Sequence, residues 1–177
     1  PQYRHQQLAV KLLHYAHHYL FRKGIRYTLL VPATPQLFNY YRRQGYRDAF
    51  FIREANLSRR HILNFPKKQA VDIFPALPGE YNRRRENLLT GKPHLSYRDE
   101  DILYQKKLSR HFNADIYGID IGGDCGCAAV EESNDGVVVK ELLLPDDLIP
   151  VAMRSIAQLL PADQYIIRTP VFTGQTL

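Results

Sequence analysis

The chain has only two cysteines in 177 residues, Cys125 and Cys127, separated by one residue. A disulfide scaffold needs more, so the pattern points to a reducing, cytoplasmic setting. No apolar run approaches the ~18–20 residues of a membrane span, which argues against a membrane partner. No charged start leads into an apolar stretch of the kind that marks a signal peptide. Low-complexity tracts and obvious short repeats are also missing. What is present suits a folded chain: hydrophobic residues make up 45%, and the length allows one sizeable core or two small ones.

Charge is unevenly spread. Residues 1–60 hold eleven Lys/Arg against two acids, Asp48 and Glu54, for +9, whereas residues 61–177 hold thirteen against sixteen, for −3. The basic part suits an anion: a nucleic acid, a phosphorylated cofactor or only solvent. Its basic residues are scattered over predicted helices and strands without an RRM-like or zinc-finger signature, which argues against nucleic acid.

A composition shift near residue 55, after "FFIREAN", divides the chain. The first part reads as helix (about 6–23), strand (26–31), helix (about 35–44) and strand (46–53). Leu8, Leu12, Leu13, Ala16 and Leu20 recur at the helical period, and Gly24 is placed to end that helix. The second part reads as two or three helices, then "ADIYGIDI", "CGCAAVEE" and "GVVVKELLL" as strands, "LIPVAMRSIAQLL" as a helix and "QYIIRTPVF" as a last strand. "SNDG" marks a hairpin, because Asp135 and Gly136 tolerate positive φ.

In "PQYRHQQLAVKLL", Arg4 stands just before an apolar-periodic helix. A helix N-terminus offers unpaired N–H groups and partial positive charge, and a small residue such as Ala9 on its first turn lets an anion approach. This stretch resembles the acetyl-CoA pyrophosphate loop of the GCN5-related N-acetyltransferases, whose pattern is Arg/Gln, two residues, Gly, one residue, Gly/Ala, then an apolar helix. Arg4 matches the first position and Ala9 the last, and Gln7 replaces the first glycine. "TLLVPATPQLFNYYRRQGYRDAF" is similar to the strand, helix and final strand that follow in that family, with its aromatic-x-x-x-Gly-aromatic signature in "YRRQGY". Together the two blocks cover about residues 1–54.

The resemblance implies an α/β (α+β) fold of acyl-CoA N-acyltransferase type, a mixed, mostly antiparallel sheet with flanking helices. It implies that residues 1–55 are the carboxyl half of a cofactor-binding domain whose first strands precede Pro1, and that residues 56–177 form a second, degenerate copy. In that copy "PDD" (145–147) falls where the cofactor loop would be, and its carboxylates would repel a pyrophosphate. Acetyl-CoA is the implied acyl donor, held by Arg4, His5, Gln6, Gln7, Leu8 and Ala9, with no metal. The implied reaction is direct attack of an amine, on a small molecule or a peptide, in a ternary complex, and Tyr41 matches the tyrosine that protonates the leaving thiolate. The general base is not visible in this stretch. An incomplete sheet also permits strand exchange between copies, hence an oligomer. The other class of function consistent with these features is a regulatory or binding module that keeps the fold without catalysis.

Several conspicuous residues have plainer readings. Tyr41 is one of twelve tyrosines, next to Tyr40, and packing is its alternative role. His14, His17 and His18 share a helix face but lack an adjacent Glu or Cys to make a zinc site. The strand "DCGC" reads as small buried cysteines. "RRR" (83–85) with Glu80 and Glu86 reads as one solvated helix turn, with substrate contact as the alternative. Ser96 reads as a helix N-cap with Asp99 in capping-box position.

Overall fold

The apolar spacing that begins at Leu8 produces the expected helix: α1 spans Leu8–Arg22 and α2 spans Pro35–Arg43 in the computed structural model, which describes residues 7–67 and 70–171. Both helices end the same way. Gly24 and Gly45 adopt φ of 80° and 90°, a left-handed conformation that costs glycine nothing. The next residue then reaches back over the last turn, Ile25 N–H to the Leu20 carbonyl (3.0 Å) and Tyr46 N–H to the Tyr41 carbonyl (3.2 Å). These are Schellman closures, which satisfy carbonyls that the helix end would leave bare.

The chain divides into two compact units, Pro1–Ala49 and Phe50–Leu177. In the first, the strand expected at 26–31 does not form among the described residues: the segment makes no backbone ladder there, and Tyr27 and Val31 are 85% and 92% exposed. The apolar run has strand propensity, but a strand exists only with a neighbour to bond. The strand expected at 46–53 is displaced as well. Residues 46–51 carry none, and β1 runs Ile52–Ser58 within the second unit.

The second unit continues with α3 (Arg59–Leu63), β2 (Val71–Pro75), α4 (Pro78–Leu89), α5 (Asp99–His111), β3 (Ile116–Ile121), β4 (Asp124–Ser133), β5 (Gly136–Leu143), a 3-10 turn at Asp146–Leu148, α6 (Ile149–Leu159) and β6 (Gln164–Pro170). The six strands form one sheet in the order β1-β6-β5-β4-β3-β2. Every neighbouring pair is antiparallel except β5 and β6. The mixed, mostly antiparallel sheet with flanking helices is the architecture expected from the sequence. β1 and β2 were not foreseen as strands in these positions.

Alternation along the strands sorts two cores. Tyr117, Ile119, Ala128, Val130, Val137, Val139, Tyr165 and Ile167 face α3 and α6, where Met153 and Ile156 complete the packing. Ile116, Cys127, Ala129 and Leu143 face the other way, towards Tyr81 and Leu89 of α4 and Ile102 of α5. Each large apolar side chain so buried contributes roughly 1.5–3 kcal/mol.

One irregularity positions the site. Ala129 pairs with Glu141 but Val130 pairs with Val139, so Lys140 is an extra residue on β5. Such a bulge reverses the in/out alternation beyond it. Val137 and Val139 face α6, and without the bulge Glu141 would follow them into that apolar core. Instead Leu142 takes that place and Glu141 turns to α4.

Candidate functional site

At the start of α1, Gln7 is the N-cap residue with φ 54° and ψ 23°. Left-handed backbone is uncommon for a residue with a Cβ and is the conformation that favours glycine. Gln7 therefore occupies, in glycine geometry, the position where the family pattern has its glycine. Its side chain makes no capping bond, no acidic residue stands on the first turn, and Leu8 and Ala9 are both exposed. Among the described residues, the N–H groups of that first turn have neither a side-chain cap nor an acid on the turn to neutralise the helix end. Arg4, His5 and Gln6 lie outside the described residues.

Tyr41 lies in the last turn of α2. Its ring meets Tyr46 edge-on at 5.6 Å and Tyr40 at 5.1 Å. The signature "YRRQGY" thus has a local mechanical basis: Tyr41 and Tyr46 are the two residues joined by the Schellman bond, and their rings make the apolar contact that accompanies it. The Tyr41 hydroxyl has no hydrogen-bond partner among the described residues, whereas the Tyr46 hydroxyl bonds His17 Nε2 (2.8 Å) and Thr28 Oγ1 (3.2 Å). No hydrogen bond or ring contact joins Tyr41 to Gln7, Leu8 or Ala9 among those residues.

The second unit contains a crevice of its own. The parallel pairing of β5 and β6 runs only from Val137/Tyr165 to Val139/Ile167 and then stops. Beyond it the strands part around a cavity of about 160 Å³ lined by Leu88, Leu142, Leu144, Ile149, Asp146 and Thr169, among others. Alternate N–H and C=O groups along the parting strands turn towards the gap. Gly126 shapes its wall, because a Cβ there would come within 2.4 Å of the Leu144 side chain. At the mouth, Asp146 and Asp147 precede α6, and Asp146 pairs with Arg53 at 3.3 Å. Carboxylates at a helix start suit its dipole and disfavour an anionic ligand.

Beside the crevice, α4 carries a polar network. Arg85 is buried, and its Nε donates to both oxygens of Glu141 (3.2 and 3.1 Å). Its Nη1 donates to Glu86 (3.0 Å) and to the Leu95 carbonyl (2.8 Å), while the guanidinium stacks 4.6 Å from the Tyr97 ring centre. Tyr81 donates its hydroxyl to Glu141 at 2.9 Å. Burial, and then the Glu141 charge, push the Tyr81 phenol well above its usual range. Burial likewise drives the Cys127 thiol far up, leaving it a packed, protonated side chain. Arg84 pairs with Asp120 (2.6 Å) and stacks over Phe74. Its hydrogen bond holds the Asp120 carboxyl below the usual range.

Three sequence expectations are corrected here. The arginine run is not a solvated turn, because the helical period points Arg84 and Arg85 inward at the sheet, where carboxylates await them. Only one of the two cysteines is buried: Cys127 is enclosed, while Cys125 is exposed beside the hairpin that joins β3 and β4. The N-cap of α5 is Arg98, not Ser96. The Asp101 carboxylate accepts from the Arg98 N–H at 3.1 Å, and Ser96 donates instead to Glu86. Glu141 was not foreseen, although an acid inside "VVVKELLL" was a signal, because a charge within a buried strand needs a partner. Among the described residues, no group of three or more His, Cys, Asp or Glu side chains is placed to hold a metal ion.

No protein-family model and no curated protein sequence matches the chain. Among the solved structures similar to it is the crystal structure of a GCN5-related N-acetyltransferase from Kribbella flavida, with a TM-score of 0.65 at 14% identity, covering 98% of this chain and 44% of that one. A GCN5-related N-acetyltransferase from Sphaerobacter thermophilus has a TM-score of 0.47 at 11% identity over 99% of this chain and 64% of that one. The chain thus spans less than half the length of the first structure. What this likeness shows is the fold: the chain has the fold of the GCN5-related N-acetyltransferases.

Proposed function

We propose that this chain is part of an N-acetyltransferase that moves an acetyl group from acetyl-CoA to an amine. The observation that carries this reading is Gln7, held left-handed at the N-cap of α1. A left-handed residue at this position supports a cofactor loop here even though the glycine is replaced. Residues 4–9 would hold the pyrophosphate through Arg4 and the N–H groups of the first helical turn. The amine nitrogen would attack the thioester carbonyl and give up its proton to water, a backbone N–H would stabilise the oxyanion, the C–S bond would break, and Tyr41 would give its proton to the departing thiolate and regain one from solvent. The Tyr41 hydroxyl, without a hydrogen-bond partner among the described residues, supports that role, and its packing against Tyr46 would orient it. The acceptor is a small-molecule or peptide amine. We assign cofactor binding to residues 1–55 and read 56–177 as a degenerate second copy, whose acidic crevice mouth disfavours a pyrophosphate.

The test is a thermal shift of the full-length polypeptide with acetyl-CoA, desulfo-CoA and ATP. A ligand at a hundred times its Kd stabilises the folded state by ~2.7 kcal/mol, a readily measured rise in melting point. The expected result is a rise with both CoA compounds and none with ATP. Gln7→Gly relieves roughly 1 kcal/mol of left-handed strain and uncrowds the loop, so it should strengthen the shift. No shift in either protein at millimolar cofactor favours the second reading, a module that keeps the fold without the cofactor, motivated by the Gln7 side chain itself.

A further inference from the structure

The segment between α4 and α5 is tied to α4 almost entirely by side chains. Asn82 donates to the Tyr97 carbonyl (2.8 Å), Arg85 to the Leu95 carbonyl (2.8 Å), and Glu86 gathers His94 and Ser96. Lys92, in the same segment, lines the crevice with Leu88 and Leu89 of α4. The segment therefore meets the rim of that cavity at Lys92, whose N–H bonds the Leu89 carbonyl at 2.9 Å.

His94 is the informative residue. Its Nδ1 lies 2.7 Å from the Lys92 carbonyl, and its Nε2 lies 3.0 Å from a Glu86 carboxylate oxygen that also accepts from Ser96 at 3.1 Å. Nδ1 faces a carbonyl, which only accepts, and Nε2 faces the carboxylate, with the Ser96 hydroxyl farther off at 3.5 Å and its proton given to Glu86; a neutral imidazole has one N–H for the two acceptors. Only the imidazolium satisfies both. The arrangement is not a nucleophile-activating triad, because acid and serine meet the same nitrogen and the other is spent on a carbonyl.

We propose that the 91–97 segment is a pH-operated clasp on the crevice rim, closed by protonated His94 on Glu86 and released when the imidazole loses its proton. The charged groups that act on His94 are on α4: Glu86 accepts from it, and Arg85, itself paired to Glu86 and Glu141, opposes its charge. The balance favours the proton. The Glu86 hydrogen bond and then the Lys92 carbonyl raise the His94 pKa above its ordinary value, and the same bond lowers that of Glu86. A raised histidine stabilises the closed form fully below its unperturbed pKa of ~6.5, and that contribution is lost as pH rises through the raised value. The lowered glutamate fails only in acid, below its ordinary range.

The test is chymotryptic cleavage after Leu95 or Tyr97 in the intact chain, with each rate divided by that for a free peptide of residues 90–100 at the same pH. Between pH 6.0 and 8.5 the normalised rate should rise about tenfold for each unit by which the His94 pKa is raised. His94→Gln should make it independent of pH. A pH-independent rate in the wild type, or an unchanged pH dependence in His94→Gln, overturns the proposal. Should His94→Gln misfold, NMR titration of His94 in the wild type and in Glu86→Gln decides. A wild-type pKa above ~6.5 that falls in the variant supports the clasp, and a value at or below ~6.5 refutes it.

Discussion

Arg85 and Glu141 offer the sharpest check on how the second unit is held together. The Arg85 side chain is only 6% exposed and the Glu141 side chain 26%. Removing one partner from a buried pair typically costs ~3–5 kcal/mol, because the other charge stays behind uncompensated. Arg85→Met leaves Glu141 one donor, Tyr81, but with some access to water, so the lower end, about 3 kcal/mol, is expected. Glu141→Leu leaves the more deeply buried guanidinium with Glu86 and the Leu95 carbonyl but unpairs its Nε and the Tyr81 hydroxyl, and should cost about 4 kcal/mol. The double variant leaves neither charge, so it should be no worse than the milder single one. Arg85→Lys should not rescue, since one ammonium cannot span two carboxylates and a carbonyl while stacking on Tyr97. The chain has no tryptophan, so urea unfolding is followed by far-UV circular dichroism. With m near 1–3 kcal/mol/M, a 3 kcal/mol loss moves the midpoint by roughly 1–3 M. If the double variant loses the sum of the two singles, or Arg85→Lys matches the wild type, the coupled pair is not what stabilises this face of the sheet.

Two further substitutions test the sheet and its core. Gly136 has φ 137°, and a Cβ there would stand 2.2 Å from the Gln164 carbonyl oxygen. Because the obstacle is backbone and the φ is unfavourable to any side chain, Gly136→Ala should lower stability by about 3 kcal/mol, read as a drop in urea midpoint. An unchanged midpoint would mean that the β4–β5 turn is not built as described. Met153 is fully enclosed on α6, and Met153→Ala should cost about 2–5 kcal/mol through lost burial and a residual cavity. A loss below about 1 kcal/mol would mean that α6 is not packed on the sheet.

The elements that could be read from the sequence are those whose cause is local. α1 and α2 carry both their period and the glycine that stops them, and the order of β3, β4, β5, α6 and β6 follows from short apolar runs separated by turn residues. The left-handed backbone of Gln7 was not read from the sequence, because a glutamine gives no sign of it. What could not be read depends on distant partners. Residues 26–31 look like a strand because they are apolar and β-branched or aromatic, yet ladder bonds require a neighbour that composition does not specify. β1 and β2 are polar or interrupted, and they are strands because β6 and β3 offer them an edge. The polar network on α4 has the same origin. No glycine or proline marks the bulge at Lys140, and without the bulge the alternation would place Glu141 on the α6 face, out of reach of Arg85 and Tyr81. One inserted residue thus decides which side of the sheet carries the charge. The "RRR" run could become an interior anchor only because that residue turned Glu141 towards it.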